Sequence, residues 1–391
     1  MSPLEWFKKE KPFLSLQSMF GGAAGALVQG AKKNVDATGG TISEYNDKTI
    51  HRFTSPGTFV INSYKEPFTL EYVIIGGGGG GGGGVGGVGR SGGGGAGLVL
   101  VDSVTYNLSP GAATYPVTVG SGGAGGSTPT NPLNESGQQG QASSISGMPS
   151  PISPPLHQAS WPTSITPTSL RGFYATGGGF GAQGGPNGDQ GGYGGSRGGS
   201  GGDQPLGPEG SILYNPNPLF IPPPGNPPTG PFPNPTSPNN VKLWKWQSGD
   251  PTWGDATRGM YGQRGGQAAV GSPPPRGGGG GGGGAGGQGE NSGPTEPAGD
   301  GGEGMRLPIT FRDPTNPFGA PGNDPVVGPN QHWVAGGGAG SPGGDRVNGG
   351  GSSSGGGAGS AGQDYTGGGG GAGKTEGGPG GPGQVLIAYP N

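Results

Sequence analysis

Tyr72-Val73-Ile74-Ile75, nine consecutive glycines at 76–84, then V-G-G-V-G-R-S-G-G-G-G-A-G over 85–97 and Leu98-Val99-Leu100-Val101: this stretch decides the fold. An apolar strand enters a glycine tract and an apolar strand leaves it. If the tract is a tether, the two strands are unrelated; if it is structure, they are neighbours. Glycine has no Cβ, so backbones can approach closely, at the largest entropic cost of any residue. A polyproline-II-type helix has three residues per turn, rises about 3.1 Å per residue and makes no internal hydrogen bonds. Several such helices side by side can satisfy each other's N–H and C=O groups, as buried backbone must be satisfied.

That geometry makes a sequence prediction. A helix surrounded on every flank needs glycine at all three positions of each turn, as in 76–84 and 277–284. A helix with one exposed flank can carry a larger residue at every third position, as in Gly378-Pro379-Gly380-Gly381-Pro382-Gly383. Nine residues at that rise span about 28 Å. The opposing reading, a flexible Gly/Ser linker, leaves unexplained why strand-like sequence brackets the tracts.

The 391 residues include 104 Gly and 44 Pro, with 27 % hydrophobic residues. Such a Gly and Pro content by itself points to low complexity. Charge does not follow, because Lys plus Arg is 20 against Asp plus Glu 23, whereas disordered chains tend to carry a high net charge. So few apolar side chains cannot build a conventional core for a chain of this length. No cysteine is present, which excludes disulfides and thiolate metal sites. His51, His157 and His332 are far apart in sequence, and no metal site or cofactor is expected. No apolar run has the length of a membrane-spanning helix. Near-neutral charge argues against nucleic acid or membrane insertion as a partner.

Outward from the opening stretch, short β-branched and aromatic runs occur at 41–45, 49–53, 58–62, 68–75, 98–106 and 115–119. Turn residues separate them, as at Ser55-Pro56-Gly57 and Ser109-Pro110-Gly111. Glycine-rich blocks near 76–97, 120–126, 177–202, 262–289 and 336–383 alternate with Pro-, Asn-, Ser- and Thr-rich segments at 127–176, 204–261 and 291–335, with no fixed repeat. The last block feeds the apolar run 385–389, which should return to the first strands. The expected fold is mostly β and irregular: a small antiparallel β unit, packed polyglycine-II helices, long surface loops and little helix. Four regions are expected: a docking segment at 1–33, a β unit with the first glycine tract at 34–126, the glycine scaffold at 127–384, and a closing strand at 385–391.

The first 33 residues differ in character. Trp6, Phe7, Phe13, Leu14, Leu16, Met19 and Phe20 are large apolar groups, too many for a tail meant to stay in water. They are candidates for docking on another protein. A secretory signal fits less well, because Glu5 and Glu10 interrupt the basic region.

Two apparent chemical motifs carry little. Residues 368–375 match G-x-x-x-x-G-K-[ST], but a phosphate loop needs a following helix, and Glu376-Gly377-Gly378-Pro379 does not start one. Arg197-Gly198-Gly199, Arg264-Gly265-Gly266 and Arg276-Gly277-Gly278 are too sparse for phosphate-driven binding. No nucleophile–base arrangement stands out, and no enzyme is expected. The remaining candidates are rings in the intervening segments: Trp161, Tyr214, Trp244, Trp246, Trp253 and Trp333, with Lys245 between two of them. Trp and Tyr carry binding hot spots, though flat rings also suit packing against glycine.

Phe53–Ile61 (F-T-S-P-G-T-F-V-I), E-Y-V-I-I-G-G-G-G-G-G from Glu71, T-Y-P-V-T-V-G-S-G-G-A-G-G over 114–126 and the terminal G-G-P-G-G-P-G-Q-V-L-I-A-Y over 377–389 together resemble the glycine-rich domain of bacteriophage tail fibres. Glycine blocks alternating with variable loops are similar to those of T-even-type distal fibre adhesins. The resemblance covers about Tyr45 to Tyr389. It implies a virion structural protein in which packed polyglycine-II helices present loops to a host surface receptor, protein or glycan, in the extracellular phase. Residues 1–33 resemble no adhesin tip; they look like short virion-anchoring ends of some marine phage structural proteins. The implied partners are other tail or virion proteins, and direct anchorage to tail or capsid is equally open. A homotrimer would suit a fibre, although no heptad or collagen-like register supports one. Alternatives are a tail or capsid decoration protein without receptor binding, and a secreted glycine-rich matrix or ice-binding protein.

Overall fold

A computed structural model describes residues 33–84, 90–107, 112–127, 136–148, 173–184, 191–192, 194–202, 259–268, 277–293, 298–321, 332–342, 355–357 and 359–391. Thirteen strands are present among the described residues: β1 Val35–Thr38, β2 Thr41–Tyr45, β3 Lys48–Phe53, β4 Gly57–Tyr64, β5 Phe68–Ile75, β6 Val99–Tyr106, β7 Ala113–Thr118, β8 Ser143–Ile145, β9 Tyr174–Ala175, β10 Gly259–Tyr261, β11 Met305–Arg306, β12 Trp333–Val334 and β13 Gln384–Pro390. Helix, again among the described residues, is limited to one 3-10 turn, Ile309–Phe311.

The strands form a five-stranded sheet, β1-β4-β7-β8-β9, a six-stranded sheet, β10-β6-β5-β13-β3-β2, and the small pair β11-β12. All named pairings are antiparallel, and β13 lies between β3 and β5 in the six-stranded sheet. Asn46 and Asp47 turn the β2–β3 hairpin with φ of 48° and 57°, the left-handed values that a tight hairpin needs and that Asn and Asp tolerate. Period-two alternation divides the six-stranded sheet between two cores. Phe68, Leu70, Tyr72 and Ile74 of β5, with Val385, Ile387 and Tyr389 of β13, face the five-stranded sheet. Val73, Ile75, Leu386 and Ala388 face the opposite way, under Met305, Leu307, Phe311, Phe318 and Val334. The covering segment is tied down by polar contacts. Glu71 pairs with Lys48 and accepts a bond from Thr310, while Gln384 donates to the Phe318 carbonyl.

Beyond the strands the backbone continues as extended glycine segments, or rods, in the same register. Ile75 faces Val99 in the β5–β6 ladder, and the pairing runs on as Gly76, Gly79 and Gly82 donate to the carbonyls of Leu98, Gly95 and Gly92. Gly77 and Gly80 donate to Gln141 and Gln138, and Gly78 and Gly81 to Gly381 and Gly378. The carbonyls of Gly77 and Gly80 receive Gly178 and Gly181, those of Gly78 and Gly81 receive Gly123 and Gly126, and those of Gly79 and Gly82 receive Gly370 and Gly373. Each neighbour returns every third residue, so 76–84 winds with three residues per turn among six neighbouring rods. Rods 90–98 and 277–285 have surroundings of the same kind; Gly279 and Gly282, for instance, donate to Ser341 and Gly338 while Gly280 and Gly283 donate to Ser200 and Arg197.

Side chains hold stacked sheets about 10 Å apart. Where the strands give way to glycine nothing keeps the layers apart, and hydrogen bonds form between layers as well as within them. The closeness is measurable: a Cβ on Gly79, Gly80 or Gly81 would lie 2.1, 1.9 or 2.3 Å from the carbonyl oxygen of Gly179, Ala124 or Gly371. Outer rods show the expected relaxation. In 120–127, Ser121, Ala124 and Ser127 are exposed while Gly123 and Gly126 are buried, and in 298–304 Asp300 and Glu303 are exposed while Gly299, Gly302 and Gly304 are buried. Parts of 127–176 and 291–335, read from sequence as intervening segments, therefore contribute rods at 136–142 and 298–304. Outer positions tolerate side chains, which dilutes the glycine signal there. Serine hydroxyls replace missing lattice carbonyls at rod ends: Ser143 Oγ accepts from Gly120 N–H at 2.9 Å and donates to the Ile75 carbonyl at 2.6 Å. Ser200 and Ser292 likewise accept from the amides of Ala268 and Gly278.

Candidate functional site

The rods have two ends, and only one adjoins the sheets. Ladder positions fix which end is which. Gly82 pairs with Gly92, Gly184 with Gly83, Gly126 with Gly81, Gly202 with Arg90, and Ser341 with Ser91. The described segments bordering 85–89, 128–135 and 269–276, with those leaving at 184, 202, 293 and 342, thus reach the pole of the lattice remote from the sheets. Lys374, Thr375 and Glu376 are exposed at this pole, where 367–373 turns into 376–383. Ser91 Oγ closes the turn by donating to the Gly373 carbonyl at 3.0 Å. The pole is a set of chain exits whose roots are held by lateral backbone bonds, the arrangement in which loops on a rigid scaffold carry function.

The docking candidates Trp6, Phe7, Phe13, Leu14, Leu16, Met19 and Phe20 lie outside the described residues, as do Trp161, Tyr214, Trp244, Lys245, Trp246 and Trp253. Trp333 is described, and it points inward. It sits in β12 opposite Arg306, exchanges both backbone bonds with Ala320, and is 7 % exposed. It therefore offers little ring surface to a partner. Phe173 is also buried and lies 4.8 Å from the Tyr72 ring. Tyr174 and Tyr261 are half-buried, and burial pushes both phenols up. These rings take the packing role that flat aromatic faces permit.

The apparent phosphate loop is a lattice rod. Amides of Gly369, Gly370, Gly371, Ala372 and Gly373 donate to the carbonyls of Gly336, Gly79, Ser360, Ala339 and Gly82. No N–H in that run is left to cradle phosphate. Arg197, from the first R-G-G triplet, is 1 % exposed and donates from Nε to the Gly191 carbonyl, so it is closed to nucleic acid. No group of three or more His, Asp or Glu among the described residues is placed to hold a metal ion.

Two buried histidines stand apart from the pole. His51 lies between the sheets, with Nδ1 2.7 Å from the Gly39 carbonyl and Nε2 2.9 Å from Tyr389 Oη. A carbonyl only accepts, so Nδ1 carries the proton and Nε2 accepts from the tyrosine. Burial, opposed by the Gly39 bond and helped by Lys33, holds the imidazole below its ordinary pKa. Burial also pushes Tyr389 up to about 12. His332, 3 % exposed with φ 33°, has no partner for Nδ1 among the described residues. Burial and the nearby Arg312 and Arg306 lower its pKa, against Asp313, which raises it.

One flank of the lattice carries a groove that the sequence reading missed. Its walls are Arg264, Gln267, Gln288, Glu290 and Asn291, over a backbone floor at Gly265 and Gly289, with a volume of about 550 Å³. Its signal was the three-residue spacing of polar side chains in R-G-G-Q and Q-G-E-N, which becomes legible only once the chain is known to wind three residues per turn.

Sheets and rods together define the class: a β-sandwich prolonged by a laterally hydrogen-bonded glycine lattice. The family model described as a glycine-rich domain matches residues 54–307, well over half of the chain, and the protein belongs to that family. No curated protein matches the chain, and no solved structure does.

Proposed function

We propose that this glycine-rich-domain protein is a phage virion structural protein, a tail fibre or adhesin, that presents loops for attachment to a host surface receptor. The observation that carries the reading is the shared pole: rods with up to six bonded neighbours deliver several chain exits to one end. Loops carried on a rigid scaffold are where binding residues concentrate. Residues 1–33 dock the chain on another tail or virion protein through their apolar side chains. The segment that leaves the pole at 202 contacts the receptor, through V-K-L-W-K-W at 241–246 foremost.

The test uses particles of the phage that encodes the chain. Substituting Trp244 and Trp246 by Ala should reduce adsorption to host cells while particles still assemble with the chain in place. Normal adsorption with both rings removed would overturn receptor contact through this segment and favour a decoration role. Deleting 1–33 should leave the chain out of the particle, and undiminished incorporation would refute the docking role.

A further inference from the structure

We propose that the flank groove between rods 262–268 and 287–293, which reaches the pole at Gln267 and Asn291, is a saccharide-binding subsite. The two rods run side by side in the same direction, since Gly289 and Ser292 donate to the carbonyls of Arg264 and Gln267. With three residues per turn, Arg264 and Gln267 share one outward face, and Gln288 and Asn291 share the next. Successive side chains on each rod are separated by about 9 Å along the groove.

Among the described residues the Arg264, Gln288 and Glu290 side chains make no hydrogen bond or ion pair. Asn291 Oδ1 accepts the Gln267 amide proton at 2.7 Å, which fixes the wall between the rods. Planar amides, a guanidinium and a carboxylate thus project from backbone that is bonded on its inner side. The set offers both donors and acceptors and carries one charge of each sign. A polyhydroxylated ligand suits it, because every hydroxyl both donates and accepts. A polyanion would meet Glu290, and an apolar ligand would find no apolar side chain lining the walls. The groove volume lies in the range of small-molecule sites. This assignment does not depend on the virion reading.

The test screens the labelled full-length chain over a printed array of polysaccharides and oligosaccharides from bacterial, plant and animal sources. A positive glycan is then titrated against the triple variant Arg264→Ala, Gln267→Ala, Gln288→Ala. These three side chains project from the lattice, so its backbone bonds remain. Affinity should fall by about tenfold or more, as expected when charged and neutral hydrogen bonds are removed. A second variant, Gln138→Ala with Gln141→Ala on another rod, should bind as the parent does. Three results would overturn the proposal: no binding across the array, unchanged affinity in the triple variant, or equal loss in both variants.

Discussion

At Gly80 the lattice leaves no space for a single carbon. A methyl group on its Cα would lie against the Ala124 carbonyl on a rod that is itself bonded to further rods, so no side chain can rotate away. Gly80→Ala should therefore cost about 3 kcal/mol or more, at or beyond the upper end for overpacking. Ala124→Lys, one rod away on an exposed face, should change stability by less than about 0.5 kcal/mol. Denaturant titration of both variants checks the contrast, and equal effects would refute the close-packed lattice. His51 and His332 give the residue scale a pH dependence. Both are held below the ordinary value of 6.5 by burial, so in the unfolded chain they bind protons at a higher pH than in the folded one. Their contribution to stability is complete above 6.5 and shrinks as pH falls toward the lowered values. Lys33 faces His51, and Arg306, Arg312 and Asp313 face His332. His332→Asn keeps a residue that tolerates positive φ and should flatten the loss of stability on acidification, measured as the denaturant midpoint against pH. An unchanged acid slope would show that His332 does not contribute.

At the scale of the element, a rod's place in the lattice sets how much of its backbone is bonded. Every amide from Gly76 to Gly82 has a lateral acceptor, whereas in 120–126 only Gly120, Gly123 and Gly126 donate to described groups. Amide hydrogen exchange should be uniformly slow across 76–82 and should alternate with a period of three across 120–126. Fast exchange through 76–82 would mean that these tracts are tethers. The sheets supply the complementary lesson about legibility. β2 and β5 have the limits their β-branched and aromatic runs predicted, and β3, β4, β6 and β7 differ by a few residues at their ends. β1 was not visible, because V-D-A-T carries too little pattern. Strands β8 to β12 have two or three residues each, too few to show a period. They pair because the rods joined to them bring them together in register.

On the scale of the whole molecule, the two apolar cores among the described residues lie in the sheets, the segments covering them and the rod ends that adjoin them. The lattice buries backbone with almost no apolar side chain. Exposing apolar surface raises the heat capacity on unfolding and exposing polar surface lowers it. Calorimetry should accordingly give a heat-capacity increment below the usual value of about 12 cal/mol/K per residue. A normal increment would mean that far more apolar surface is buried than these cores account for. The pole is also a property of the whole. Trp333 illustrates why candidate rings are hard to choose from sequence: the intervening segments have no period, so nothing in them separates a ring that packs inward from one that faces out.

What the sequence determined by itself is the local rule. Unbroken glycine marks a rod enclosed on all flanks, a larger residue at every third position marks an exposed flank, and alternating apolar runs mark the sandwich, with 385–389 as its closing strand. Which rod lies beside which was decided only by the tertiary structure. The physical reason is that lattice bonds join backbone to backbone, and one glycine's N–H and C=O are the same as another's. Rods therefore carry no side-chain code for their partners; strand pairing in the sheets sets the register, and the glycine segments inherit it.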